Sequence, residues 1–182
     1  MKDLGFTITE NLKFSKHVLN VCSSARKRAF VIFKAIKSSK MKVLLLAYKM
    51  YVRSILESGS TVFSPYSKED KRRLENVQAM FTKRVFMRCK ALKYTDTPNR
   101  ILRKRELRLD SLALRRKKAD MKLMMRILKG TGAIPSNDFY SFKSSRTRGT
   151  AHKIKVPRCR LNIRKHFFAC RTSYDYSIIQ NV

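Results

Sequence analysis

Arg115, Lys118, Lys122 and Arg126 recur at steps of three and four, so on a helix they stack into one basic ridge. Lysines and arginines at that spacing can meet successive phosphates, which gives affinity for a polyanion without reading its sequence. Arg72, Lys83 and Lys90 project together from a second expected helix. Arg164 and Arg171 complete the candidate phosphate-binding set near the C-terminus. Aromatic side chains interleave with basic ones there: Phe139, Tyr140, Phe142, Arg146 and Arg148, then Phe167, Phe168 and Arg171. Such rings can stack on bases or sugars, and a share of them is expected to serve as core instead.

The charge balance points the same way. The 182 residues carry 43 Lys+Arg against 12 Asp+Glu, a formal charge of +31. A compact body with that imbalance repels itself unless it meets a polyanion. Nucleic acid is the first candidate partner and an anionic membrane surface the second.

Other site chemistry is thin. Cys159, His166 and Cys170 lie close together, but tetrahedral zinc takes four ligands and usually a Cys-x-x-Cys clip. The clip is missing and the fourth ligand would have to be His152 or Cys89, so no metal site is expected; Cys170 and Phe167 read as packing residues. Lys129-Gly130-Thr131-Gly132 lacks the closing Lys-Ser/Thr of a phosphate-binding loop. His17, His152 and His166 are scattered and build no triad. No catalytic residue is assigned. Cys22, Cys89, Cys159 and Cys170 show no disulfide-framework spacing and no secretory signal precedes them, which predicts a reducing, intracellular compartment.

The elements that must position these residues are mostly helical. Val43–Glu57 is apolar nearly all round, with only Lys42, Lys49 and Arg53 in one strip. Such a helix is expected to be buried by its neighbours, and it is too short and too interrupted to span a bilayer. Before it, residues 2–11 read as a short extended segment, since Leu4, Phe6 and Ile8 alternate with small or polar residues. Phe14–Lys37 reads as a helix whose apolar arc runs through Val18, Val21, Cys22, Ala25, Ala29, Ile32, Phe33 and Ile36, with Cys22 a small core residue. Ser67-Lys68-Glu69-Asp70 reads as a capping box opening a helix to about Lys90. Thr97-Pro98 reads as the start of a short helix to about Leu107. Asp110 reads as the cap of Ser111–Lys129, with Gly130 as its stop. The predicted fold is a mostly α helical bundle over residues 1–130 around residues 43–57, followed by an irregular basic tail over 131–182.

Several stretches resemble the region just C-terminal to the palm in reverse transcriptases of non-LTR retrotransposons (LINE-type, Jockey/CR1-like). They are Tyr48, Tyr51-Val52-Arg53, Ile55-Leu56-Glu57, Gly59-Ser60, Val62-Phe63 and Ser64-Pro65, then Leu74-Glu75, Val77-Gln78 and Phe81-Thr82-Lys83. Asp3-Leu4-Gly5-Phe6 is similar to the signature that closes the palm, and Arg105, Leu107, Leu109, Ser111-Leu112 and Arg115-Arg116 continue the likeness. Arg164, Phe167-Phe168 and Arg171 resemble the family's basic end. Ser54 stands where the family usually has Pro, Phe63 where it has Trp, and the ending Tyr174–Ile179 departs from the family's pattern.

The resemblance implies a thumb and C-terminal segment that grips RNA or an RNA–DNA duplex beside a palm domain supplied by the parent polymerase. In such an RNA-directed DNA polymerase, palm carboxylates hold Mg2+ ions that activate the primer hydroxyl. This sequence has no Asp-Asp pair, and Asp96, in Tyr94-Thr95-Asp96-Thr97, reads as a turn residue. The chain is thus expected to bind nucleic acid, to hold no cofactor of its own and to catalyse nothing alone, with the nucleus as its compartment. Composition by itself fits equally a stand-alone basic RNA-binding protein of a ribonucleoprotein, or an interaction module whose apolar helix faces await a partner domain.

Overall fold

The computed structural model describes residues 2–11, 13–131, 133–143 and 154–180. The chain divides into two compact units: residues 1–59 with 65–115, and residues 60–64 with 116–182.

The first unit opens on a two-stranded antiparallel hairpin, β1 (Lys2–Asp3) and β2 (Phe6–Thr7), with Lys2 opposite Thr7 and Asp3 opposite Phe6. Leu4 and Gly5 form its two-residue turn at φ +44° and +86°, the primed geometry that matches the twist of the strands. Helix α1 (Ser15–Ala35) follows and buries Val18, Cys22, Ala25, Ile32 and Phe33, the arc expected from its periodicity.

The central apolar stretch is a continuous helical run with a π segment inside it: α2 (Met41–Ala47), π turns over Tyr48–Arg53, and α3 (Ser54–Glu57). Leu44, Tyr48, Val52 and Leu56 are all fully buried. Residues four apart drift by about 40° per step round a plain α-helix; the wider π turns take up that drift and keep the four on one face. The run is therefore buried on one side only. Val43, Leu46, Met50 and Tyr51 are exposed, contrary to the expectation of burial nearly all round.

Helix α4 (Lys68–Cys89) packs on α1 and buries Leu74, Val77, Phe81, Val85 and Phe86. The Phe81 ring lies 4.8 Å from Phe33 and 4.9 Å from Tyr48, so one aromatic side chain joins three helical segments. The expected capping box does not form: Ser67 makes no side-chain cap bond. The Asp70 carboxylate instead accepts from Ser15 Oγ (2.6 Å) and Arg73 Nη1 (3.2 Å), which ties the start of α4 to the start of α1. Helix α5 (Arg100–Glu106) starts two residues later than expected, with Asn99 Oδ1 rather than Thr97 accepting from the Leu102 N–H at 3.0 Å.

Helix α6 (Leu112–Leu128) begins in the first unit and belongs to the second from Arg116 onward. Its cap is Ser111, whose Oγ accepts from Leu114 N–H (3.2 Å), while the Asp110 carbonyl accepts from Gln78 Nε2 (3.1 Å). Gly130 stops it as expected. At φ +64° it donates to Ile127 O while Thr131 N–H donates to Arg126 O, the paired closure of a Schellman motif.

The division falls after Arg115 rather than after Gly130 because α6 supplies the core of the C-terminal part. Met124 and Ile127 cluster with Tyr140, Ile154, Phe168 and Ala169. That part is also less irregular than its composition suggests. It holds α7 (Ser136–Phe139), α8 (Asn162–Lys165) and α9 (Phe168–Gln180), and an isolated antiparallel bridge joins Phe142 to Ile154. Within α9, the Thr172 hydroxyl bonds that of Tyr140 at 2.9 Å and donates to Phe168 O at 2.7 Å, so a polar residue sits in the core without an orphaned group.

No helix among the described residues is long and apolar enough to cross a membrane.

Candidate nucleic-acid interface

The basic residues singled out in the sequence fall into two classes once their neighbours are known. Arg115 and Arg171 are structural. Arg115 donates from Nε and Nη2 to the two Glu57 carboxylate oxygens, the second at 2.9 Å, and this bond to Glu57 raises its pKa further, against the effect of burial. Arg171 is more deeply engaged. Its Nε and Nη2 donate to Asp120 Oδ2 and Oδ1 (2.9 Å each), Nη1 to His166 O (2.9 Å), and Nη2 again to Thr61 O (2.6 Å). Burial pushes the Asp120 carboxyl up and Arg171 pulls it down, with burial the larger influence. A guanidinium fork is suited to this role, since its donors are preset for a carboxylate and for carbonyls. Neither residue presents a vacant fork to a phosphate.

The remaining α6 residues keep the ridge. Lys118, Lys122 and Arg126 are exposed, and Lys129 continues the strip one step beyond the helix. Among the described residues neither Lys122 nor Arg126 has a carboxylate partner. On α4 and at its C-cap the cations are exposed to differing degrees and locally engaged. Arg72 pairs with Glu69 at 2.8 Å, Lys83 Nζ lies 3.0 Å above the Tyr94 ring, and Lys90 pairs with Glu106 at 2.6 Å while lying over Phe86. Exposed ion pairs of this kind contribute little to stability. Arg164 is exposed and lies 5.2 Å over the Phe167 ring.

The tail aromatics split between core and surface. Tyr140 and Phe168 are buried and Phe139 packs edge-on to Phe168. Phe167 is 47% exposed, so it does not pack inside as expected. Arg146, Arg148 and His152 lie outside the described residues. Cys170 is buried, and its thiol is pushed up first by burial and then by the neighbouring Cys159 thiol. Among the described residues no three His, Cys, Asp or Glu side chains converge as a metal site would require.

Periodicity alone missed a second basic face. From residue 11 to residue 56 the chain has eleven lysines and arginines and no carboxylate. Within that run Phe30 is 58% exposed, one step off the apolar arc of α1 and one turn before the exposed Lys34. Opposite them, Arg84 and Arg88 stand on α4, and an open cavity of about 520 Å³ lies between. The acid-free run and the displaced phenylalanine were the signals that could have found it.

No family model matches the chain, and no solved structure matches it. An uncharacterized protein of Caenorhabditis elegans is 27% identical over 89 residues, which cover 49% of this chain and 45% of that protein. The matched region thus spans under half the length of this relative.

Proposed function

We propose that this chain binds RNA or an RNA–DNA duplex through its phosphates, as the thumb-like C-terminal segment of a non-LTR retrotransposon reverse transcriptase, and is not catalytic by itself. The observation that carries the reading is the α6 ridge, where Lys122 and Arg126 stand exposed with no carboxylate partner among the described residues, on a chain of formal charge +31. Residues that carry the family resemblance support it by making internal junctions. Tyr48 donates to Gln78 Oε1 at 2.8 Å in the core, and Glu57 holds Arg115. Under this reading Mg2+ belongs to the palm of the parent enzyme. A phosphate binder of this kind works where its nucleic acid is, and the nucleus is the compartment we assign.

The test is the salt dependence of binding to an RNA–DNA duplex, read by fluorescence anisotropy. Each phosphate contact adds about 0.9 to the slope of log K against log salt. The pair Lys122→Gln and Arg126→Gln is expected to lower that slope by about two. Binding that is absent at low salt, or indifferent to salt, would overturn the proposal.

A further inference from the structure

The cavity between α1 and α4 has a chemistry that the phosphate ridge lacks. Its floor is Phe33, whose ring rests against Phe81 at 4.8 Å and under the Arg88 guanidinium at 5.0 Å. Arg88 is fixed in place: Nη1 donates to Ile36 O and Nη2 to Phe33 O, both at 2.7 Å. It therefore closes the end of α1 and holds a positive charge at the cavity without further ordering. Phe30 and Lys34, four residues apart on α1, form one wall, and Arg84 and Met87 on α4 the other. Lys34 and Arg84 are exposed and have no carboxylate partner among the described residues. Among the described residues, three cations and no acid line the space.

That combination selects the ligand. An exposed phenylalanine at the mouth of a cationic cavity offers a π-face, on which any base can stack, beside charges that take the flanking phosphates. A duplex keeps its base faces stacked inside and can use only the charges. The volume, about 520 Å³, is in the range of small-ligand sites. We infer that this cavity takes an unpaired nucleotide of a single-stranded segment, its base on Phe30 and its phosphates on Lys34 and Arg84. The inference rests on the nucleic-acid reading above and adds a preference for single-stranded over blunt duplex substrate.

The experiment compares the full chain and its variants on a labelled single-stranded oligonucleotide and on a blunt duplex of equal length, by anisotropy at fixed salt. Phe30→Ala is expected to weaken single-strand binding about tenfold, within the range of one base stack, and to leave duplex binding unchanged. Phe30→Tyr should retain the wild-type preference. Lys34→Gln with Arg84→Gln should lower the single-strand salt slope by about 1.4, at about 0.7 per phosphate. Phe30 is exposed, so its truncation leaves the core intact. An unchanged single-strand to duplex ratio in Phe30→Ala, while wild type binds both substrates steeply with salt, overturns the cavity assignment alone. Wild type that binds neither substrate overturns both readings.

Discussion

Glu57 and Arg115 stand 58 residues apart and close on each other through two parallel N–H to carboxylate bonds. Arg53 approaches the same carboxylate at 4.0 Å from the preceding turn. The pair joins the end of the central helical run to the start of α6. Nearby in sequence, the Glu75 carboxylate accepts from the Ala113 N–H at 3.0 Å, so the first turn of α6 is held by two acids from two other helices.

Loss of the Arg115 fork should weaken the fold and leave phosphate binding alone. The side chains are 33% and 22% exposed, so solvent screens the pair. Arg115→Ala is expected to cost about 1.5 kcal/mol, the low end for hydrogen bonds to charged groups. Urea unfolding measures that cost. The salt slope of duplex binding should not move, whereas Lys122→Gln moves it without changing the unfolding midpoint. A reduced slope in Arg115→Ala would show that the guanidinium leaves Glu57 for a phosphate.

Gly59 has no room for a side chain unless the Phe6 ring shifts. Its φ of +65° lies in the left-handed region, and a Cβ there would collide with the Phe6 ring. Left-handed backbone costs an L-residue roughly 1–2 kcal/mol before the collision is counted. Gly59→Ala should therefore destabilise the chain by more than that, and Phe6→Ala should relieve the part due to the clash. A double-mutant cycle in urea with additive costs would refute this contact.

Arg171 and Asp120 are 12% and 7% exposed. Removing one member of such a pair leaves a buried charge uncompensated, at a cost of about 3–5 kcal/mol. Arg171→Leu should carry that cost, and Arg171→Lys a good part of it, because an ammonium cannot reach the carboxylate and two carbonyls together. Replacing both members by leucine should recover most of the loss. Protease susceptibility within residues 116–182 reads the effect, and a double variant as fragile as Arg171→Leu alone would contradict it.

What the sequence disclosed was local, and what it hid was long-range. The apolar arc of α1, the span of α4 and the stop at Gly130 were legible because helical period and cap chemistry act within one or two turns. The roles of Arg115 and Arg171 were not, since their carboxylates stand 58 and 51 residues away. A ridge on one helix looks the same whether it faces solvent or an acid. Asp70 misled for the same reason: its partner Ser15 is 55 residues distant. The π segment was hidden because an all-round apolar stretch does not say which face the turns will select. Phe30 was not legible because helical period marks the residues that face the core and says nothing of an aromatic ring just off that arc.

His17 makes the N-terminal junction sensitive to acid. It is 6% exposed, its ring lies 5.1 Å from that of Phe6, and its Nδ1 accepts from the Thr7 N–H at 3.4 Å. Burial lowers its pKa below the ordinary 6.5. Between the lowered folded value and 6.5 the unfolded chain binds more protons than the folded one, so stability rises with pH across that window. The contribution is complete above pH 6.5 and is lost as pH falls toward the folded value. Protonation also converts Nδ1 from acceptor to donor and removes the bond to Thr7. Thermal unfolding at pH 7.5 and pH 5 should show a drop in Tm for the wild type. His17→Gln keeps a polar side chain that does not titrate, so its drop should be smaller. Equal drops in the two proteins would place the acid sensitivity elsewhere.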